Sequence, residues 1–174
     1  MKRQNTGPAG QPPGRRIAGR AQEDHVHDPY QQRQKPHEPA VCAECSAAFH
    51  HGRWQWGAAP AQAASNLCPA CRRIHDDYPA GIVELEGSFL TVHKDEIVRL
   101  ARHQGDLEQR EHPLHRIMAV RERADGVEIT TTDIHLPRRI GEALHHAYQG
   151  DLDYHYEDDR YFLRVRWSRQ TEGR

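Results

Sequence analysis

Four cysteines are the residues of this chain with the clearest chemistry. Cys42-Ala-Glu-Cys45 and Cys68-Pro-Ala-Cys71 are two matched Cys-x-x-Cys pairs, and together they use every cysteine of the 174-residue sequence. Each pair sets two thiolates one tight turn apart, so two pairs can supply the four corners of a tetrahedron around a single Zn2+ ion. The 22 residues between the pairs, 46 to 67, slightly exceed the usual gap of about 15 to 20. Closure entropy grows only logarithmically with loop length, so the excess is tolerable. Four thiolates leave no coordination position open, which predicts a structural zinc and not a water-activating one. A redox pair of the thioredoxin type would sit in a βαβ pattern and need no second copy. His50, His51 and His75 are near enough in sequence to replace a thiolate, but in a chain with 14 histidines they read as surface residues.

A second set of residues has the chemistry of RNA contact. Between the cysteine pairs, Trp54 and Trp56 share one face of an extended strand, where they could stack on unpaired bases while Arg53 reaches a phosphate. The plainer reading is that so small a module needs both indoles as its core. Near the end of the chain, Phe162, Arg164 and Arg166 alternate with the apolar Tyr161, Leu163, Val165 and Trp167, giving an open sheet face with a ring and two guanidiniums. Cross-strand ion pairs with Asp153, His155 and Glu157 would account for those arginines equally well. Arg138 and Arg139, followed by His145 and His146, make a basic edge on a helix or simply a solvated face. The corresponding enzyme candidates are His93, Asp95, Asp133 and His135. No nucleophile elbow, phosphate-binding glycine loop or His-Glu-x-x-His motif accompanies them, and Asp133 reads more simply as a helix cap.

The elements that must position these residues fall into segments. Net charge is −1 with histidine neutral, so the whole molecule lacks the positive field of a typical nucleic-acid binder. A mean hydropathy of −0.94 and a hydrophobic fraction of 36% predict that part of the chain stays unpacked. Residues 1 to 40 are the obvious part, a basic tail with Lys2, Arg3, Arg15, Arg16 and Arg20 and almost no large apolar side chain, expected to be disordered. Residues 41 to 79 form the zinc-ribbon module, residues 80 to 167 the main domain, and 168 to 174 a short tail. No apolar run approaches the roughly 18 residues of a membrane span, and no apolar segment follows the basic start, so a cytoplasmic protein with no membrane partner is expected.

In the main domain, Ile82 to Leu90 reads as a strand pair or bent strand broken at Glu86-Gly87. A helix from Asp95 to Glu108 follows, with Ile97, Leu100, Ala101 and Leu107 inward and Gly105 weakening its end. Strands over Arg116 to Arg123 and Val127 to Thr132 flank Asp125-Gly126, a hairpin signal. A second helix begins near Asp133 or His135, stops at Gly150 and buries Leu136, Ile140, Ala143, Leu144 and Ala147. Strands over Leu152 to Glu157 and Arg160 to Trp167 close the chain. The order β-α-β-β-α-β-β predicts an α+β fold, a split βαβ (ferredoxin-like) sandwich with an added strand.

The cysteine pairs, together with the segment from Thr130 to Leu144, which reads Thr-Thr-Thr-Asp-Ile-His-Leu-Pro-Arg-Arg-Ile-Gly-Glu-Ala-Leu, resemble a family of short bacterial zinc-ribbon proteins of unassigned function. That family in turn resembles the amino-terminal zinc-binding part of the archaeal and eukaryotic adaptor for export of the large ribosomal subunit, the nonsense-mediated decay three protein family. The likeness spans roughly residues 41 to 167. It departs from the adaptor in having a single set of Cys-x-x-Cys pairs and none of its remaining domains. What it implies is contact with the ribosome or structured RNA, through the zinc module and the basic helix edge; it does not imply an enzyme. The sequence reading is therefore a zinc-dependent RNA- or ribosome-associated protein. The alternatives are an enzyme with a structural zinc and a protein-protein adaptor that works without RNA.

Overall fold

A computed structural model describes residues 16–17, 27–31 and 35–171. In chain order its elements are β1 Arg16–Ile17, β2 Ala40–Cys42, β3 Ala48–His50, β4 Arg53–Gln55, β5 Ala64–Asn66, α1 Pro69–His75 and β6 Gly81–Glu86. Then come α2 Ser88–Glu111, β7 Ile117–Arg123, β8 Gly126–Thr131, α3 His135–Tyr148, β9 Asp151–Tyr156 and β10 Leu163–Ser168. The expected order from β6 onward is the observed one.

Alternation of apolar and polar side chains builds the larger sheet, ordered β1-β9-β10-β6-β8-β7. Val83 and Leu85 of β6, Val127 and Ile129 of β8 and Leu163, Val165 and Trp167 of β10 point to one face. There they meet Leu90, Ile97 and Ala101 of α2 and Leu136, Ile140 and Leu144 of α3. Each of these larger side chains, moved from water to the interior, favours the folded state by about 1.5–3 kcal/mol before entropy is counted. The added strand does not extend the sheet at its margin. β10 inserts between β6, to which it is parallel, and β9, to which it is antiparallel. A strand whose Leu163, Val165 and Trp167 are all fully buried gains most from a central place with a neighbour on each side. β9, with fewer buried side chains, is displaced outward, and Arg16 and Ile17 pair with its open edge through the backbone.

Three details differ from the sequence expectations. β6 ends at Glu86, and the predicted second strand segment to Leu90 is the first turn of α2. Gly87 makes the change of direction with φ of 101°, and a side chain there would meet the Arg169 carbonyl oxygen at 2.2 Å. α2 runs on to Glu111 because Gly105, which the sequence suggested would weaken it, is packed against Ile117; a Cβ at Gly105 would lie 2.7 Å from Ile117 Cδ1. Its inward line is thus Leu90, Ile97, Ala101 and Gly105, while Leu107 faces out. In α3, Gly141 and Pro137 complete the buried stripe, and Ala147 is exposed.

The outer face of the large sheet holds a ladder of charges. Across it run Asp153, Arg166, Glu84, Glu128 and Arg121 in register. Glu84 accepts from Arg164 Nη1 at 2.5 Å and from Arg166 Nε at 2.8 Å, and Arg123 pairs with Glu128. Arg164 and Arg166 are thus held by an acid on β6 in addition to any partner on β9. Of the segment 1 to 40, most lies outside the described residues. Asp28 and Tyr30, which are described, close over the buried Arg73 of α1. Asp28 accepts from its guanidinium, and the Tyr30 ring lies 4.3 Å from Arg73 Cζ. Among the described residues no helix is long and apolar enough to cross a membrane.

Candidate metal centre and its surroundings

The smaller sheet, ordered β4-β3-β2-β5, and α1 assemble the four cysteines. Cys42 ends β2, and the chain turns back at once. The Ser46 amide donates to the Cys42 carbonyl and the Cys42 amide to the Ala47 carbonyl, with Ser46 in a left-handed conformation at φ of 63°. Cys68 caps the N-terminus of α1, with Pro69 in the first helical position where its missing N–H costs nothing. That turn brings Cys71 back over Cys68, and the Cys71 amide donates to Cys68 Sγ at 3.4 Å.

The four Sγ atoms lie within 4.8 Å of one another, with Cys42 to Cys71 and Cys45 to Cys68 each at 3.7 Å. A tetrahedron with Zn–S bonds of about 2.3 Å has edges of about 3.8 Å, so the cluster has the dimensions of a single four-thiolate zinc site. Cys42, Cys68 and Cys71 are buried and Cys45 is half-buried. Burial pushes the Cys71 thiol up to about 11 and the Cys68 thiol higher still. Burial acts on Cys42 in the same sense, but the amides of Cys45, Cys68 and Glu44 outweigh it and draw that thiol down to about 6. His50 and His51 lie beside Glu38, and His75 pairs with Glu44 at 2.5 Å, so none of the three joins the thiol cluster.

The fifth member of this centre comes from a distant part of the chain and carries no sequence signal. Arg116, immediately before β7, is 8% exposed and sends its guanidinium into the thiol cluster. Nη2 is 3.1 Å from Cys45 Sγ and 3.4 Å from Cys68 Sγ, and Nη1 is 3.4 Å from Cys71 Sγ. Nε bonds the Pro113 carbonyl at 2.6 Å. Thr132 fixes the backbone: its hydroxyl accepts from the Arg116 amide at 2.9 Å and donates to the Leu114 carbonyl at 2.6 Å. A zinc tetrathiolate carries two net negative charges, and a buried guanidinium that directs three contacts at sulfur and one at a carbonyl offsets one of them.

The other predicted residues are dispersed. Trp54 packs on Phe49 at 5.4 Å between ring centroids and borders the cysteine cluster, as the core reading expected. Trp56 lies beyond β4, partly exposed, and donates from Nε1 to the Gln109 carbonyl at 2.6 Å. Phe162 precedes β10 and is buried, with the Arg160 guanidinium 4.3 Å from its ring, so it offers no open stacking surface. Arg139 reaches Glu108 at 3.2 Å and Arg138 lies over the Tyr154 ring at 5.2 Å. Asp133 caps α3, accepting from the amides of His135 at 2.7 Å and Leu136 at 3.1 Å. Arg53 is exposed and, with Lys35, Phe49, Trp54, Pro36 and Pro69, lines a groove of about 370 Å³ in which no carboxylate of the described residues takes part.

Fold and site together define an α+β protein with a ferredoxin-like sheet and a four-cysteine cluster of zinc-site dimensions, into which a buried arginine from the segment before β7 projects. Comparison of the chain with models of known families, with curated proteins and with solved structures found no match in any of the three.

Proposed function

We propose that the protein is a zinc-dependent RNA-binding protein that associates with the ribosome or another structured RNA. One zinc ion is held by Cys42, Cys45, Cys68 and Cys71, and its role is to fix the module that presents the binding groove. The observation that carries this reading is the composition of that groove. Two cations, Lys35 and Arg53, stand beside the half-buried Trp54, which packs on the buried Phe49, with no acid among the described lining residues, which suits a phosphate and an unpaired base of single-stranded RNA. Its volume falls within the range of small-ligand pockets, about 300 Å³ upward. The local charge matters more here than the net charge of −1, because screening confines electrostatic contact to roughly 10 Å. The family resemblance over residues 41 to 167 points the same way. Arg164 and Arg166, both engaged by Glu84 with Glu157 also near Arg164, contribute least to this reading.

Ultraviolet cross-linking of the zinc-loaded protein to RNA in cell extract, followed by identification of the linked peptides, tests it. RNA attached to the peptide containing Phe49, Arg53 and Trp54 is the expected result. No cross-linked RNA, or linkage confined to peptides outside this module, would overturn the assignment and favour the adaptor reading.

A further inference from the structure

On the other side of the segment that carries Arg116 lies a second group of metal-ligating side chains that the zinc module does not use. Glu108 is in the last turn of α2, His112 caps that helix, and His115 follows one turn on, its amide bonded to the His112 carbonyl at 3.0 Å. Asp133 and His135 enter from the start of α3. His115 is central: Nδ1 is 3.1 Å from Glu108 Oε2 and Nε2 is 3.7 Å from Asp133 Oδ2. Its ring centroid is 4.7 Å from that of His112 and 5.4 Å from that of His135. Glu108, His112 and His115 each offer a ligand atom, all within 4.8 Å of one another.

A protonated His115 between two carboxylates, with Arg139 on the far oxygen of Glu108, would explain part of this cluster. It leaves two features unexplained. Oδ1 of Asp133 is buried in a residue only 7% exposed and has no hydrogen-bond partner, an expensive arrangement for a carboxylate oxygen. Two further imidazoles, His112 and His135, also crowd the same corner, and the ion pairs of His115 account for neither.

We propose that Glu108, His112 and His115 form a second metal site, for a first-row divalent transition ion, with Asp133 and His135 as its outer partners. Imidazole with carboxylate suits Zn2+, Co2+ or Ni2+ and disfavours Ca2+ or Mg2+. Ligand atoms about 2.1 Å from the ion stand about 3.4 Å apart in a tetrahedron, so modest side-chain rotation closes the site. His112, exposed at the helix end, is free to make it. Three protein ligands leave a coordination position open, in contrast to the closed cysteine site. Glu108, His112 and His115 fall on one helical face and its continuation, a Glu-x-x-x-His-x-x-His spacing. Adjacent residues, His115 and Arg116, then serve the two centres from opposite sides of one short segment.

The test is a Co2+ titration of full-length protein whose cysteine site has first been saturated with zinc, followed by visible absorption and by metal analysis after gel filtration. One further equivalent should bind, without the intense thiolate-to-metal charge-transfer band that cobalt at the cysteines would give. His112→Ala and His115→Gln should each abolish that equivalent. His50→Ala/His51→Ala, which strips the exposed imidazoles beside Glu38, should leave it intact. Glu108→Gln, close in shape and neutral, replaces His115→Gln if the latter fails to fold. The proposal is overturned if no further equivalent binds, if cobalt enters only with the charge-transfer band, or if binding survives in the cluster variants.

Discussion

Arg116 Nη2 lies 3.1 Å from Cys45 Sγ across 71 residues of sequence, and that contact ties the four-cysteine cluster to the segment that leads into β7. The charge of four thiolates is met by an arginine that the ferredoxin-like domain holds in place through Thr132 and Pro113. Arg116→Met should therefore weaken zinc binding by about 10- to 100-fold, the usual effect of losing an outer partner of a metal ligand. Arg116→Lys, which keeps the charge but not the planar fork, should fall between. Chelator competition measures both, and an unchanged affinity in Arg116→Met would show that the guanidinium is not part of the centre.

Metal uptake should expel protons. Burial keeps the Cys68 and Cys71 thiols protonated at neutral pH, while zinc takes only thiolates. Binding near pH 7 then releases at least those two protons, and affinity rises as pH rises, by about two orders of magnitude per pH unit. Titration in a weakly buffered indicator solution counts the protons. Affinity independent of pH from 6 to 8 contradicts this account.

Glu84, held between Arg164 and Arg166, titrates below the ordinary glutamate range: burial works to raise it, and the two guanidiniums more than compensate. The sign follows from the folded value being the lower one. The contribution to stability is complete above the unfolded pKa of about 4.3 and is lost as pH falls through the folded one. Glu84→Gln should cost about 1–2 kcal/mol at pH 7 and flatten the acid limb of a denaturation series. Equal losses for wild type and variant between pH 5 and pH 3 would refute the role given to this ladder.

Gly126 should tolerate no side chain. A Cβ there would stand 2.0 Å from the Leu85 carbonyl oxygen of the neighbouring strand, and backbone on both sides leaves little room for relief. Gly126→Ala should cost about 3 kcal/mol or more, read from urea unfolding. A loss under about 1 kcal/mol would show that the two strands can part without penalty.

The same glycine shows how far the sequence could be read. Asp125-Gly126 marked a hairpin, and a hairpin is there. Its two-residue loop is Ala124-Asp125, however, and Gly126 is the first residue of β8, opposite Glu86. A local signal located the turn, while the reason for the glycine is a contact with a strand some 40 residues away. Helices α2 and α3, the order of elements from β6 onward and the grouping of the four cysteines were legible because each rests on local period or spacing, while the short α1 was not read. The insertion of β10 beside β6 was not, since alternation says which face a strand buries and nothing about its neighbours. Arg116 and the cover of Asp28 and Tyr30 over Arg73 are contacts between distant segments, with no periodic trace in either one. The segment Thr130 to Leu144, the more distinctive part of the family resemblance, also has structural work: Thr132 seats Arg116 and Asp133 caps α3.

In the function proposed above, zinc holds the groove of Lys35, Arg53 and Trp54 ready for RNA. Co-sedimentation of the zinc-loaded protein with ribosomal particles across a salt series tests it most directly, with Lys35→Glu/Arg53→Glu and Cys42→Ser/Cys45→Ser variants run in parallel. The account predicts binding that weakens steeply with salt, is lost in the charge-reversed protein despite intact zinc, and is lost in the cysteine variant with the α+β domain still folded. Binding indifferent to salt and to both variants, or none by the metallated wild type even at low salt, would contradict it.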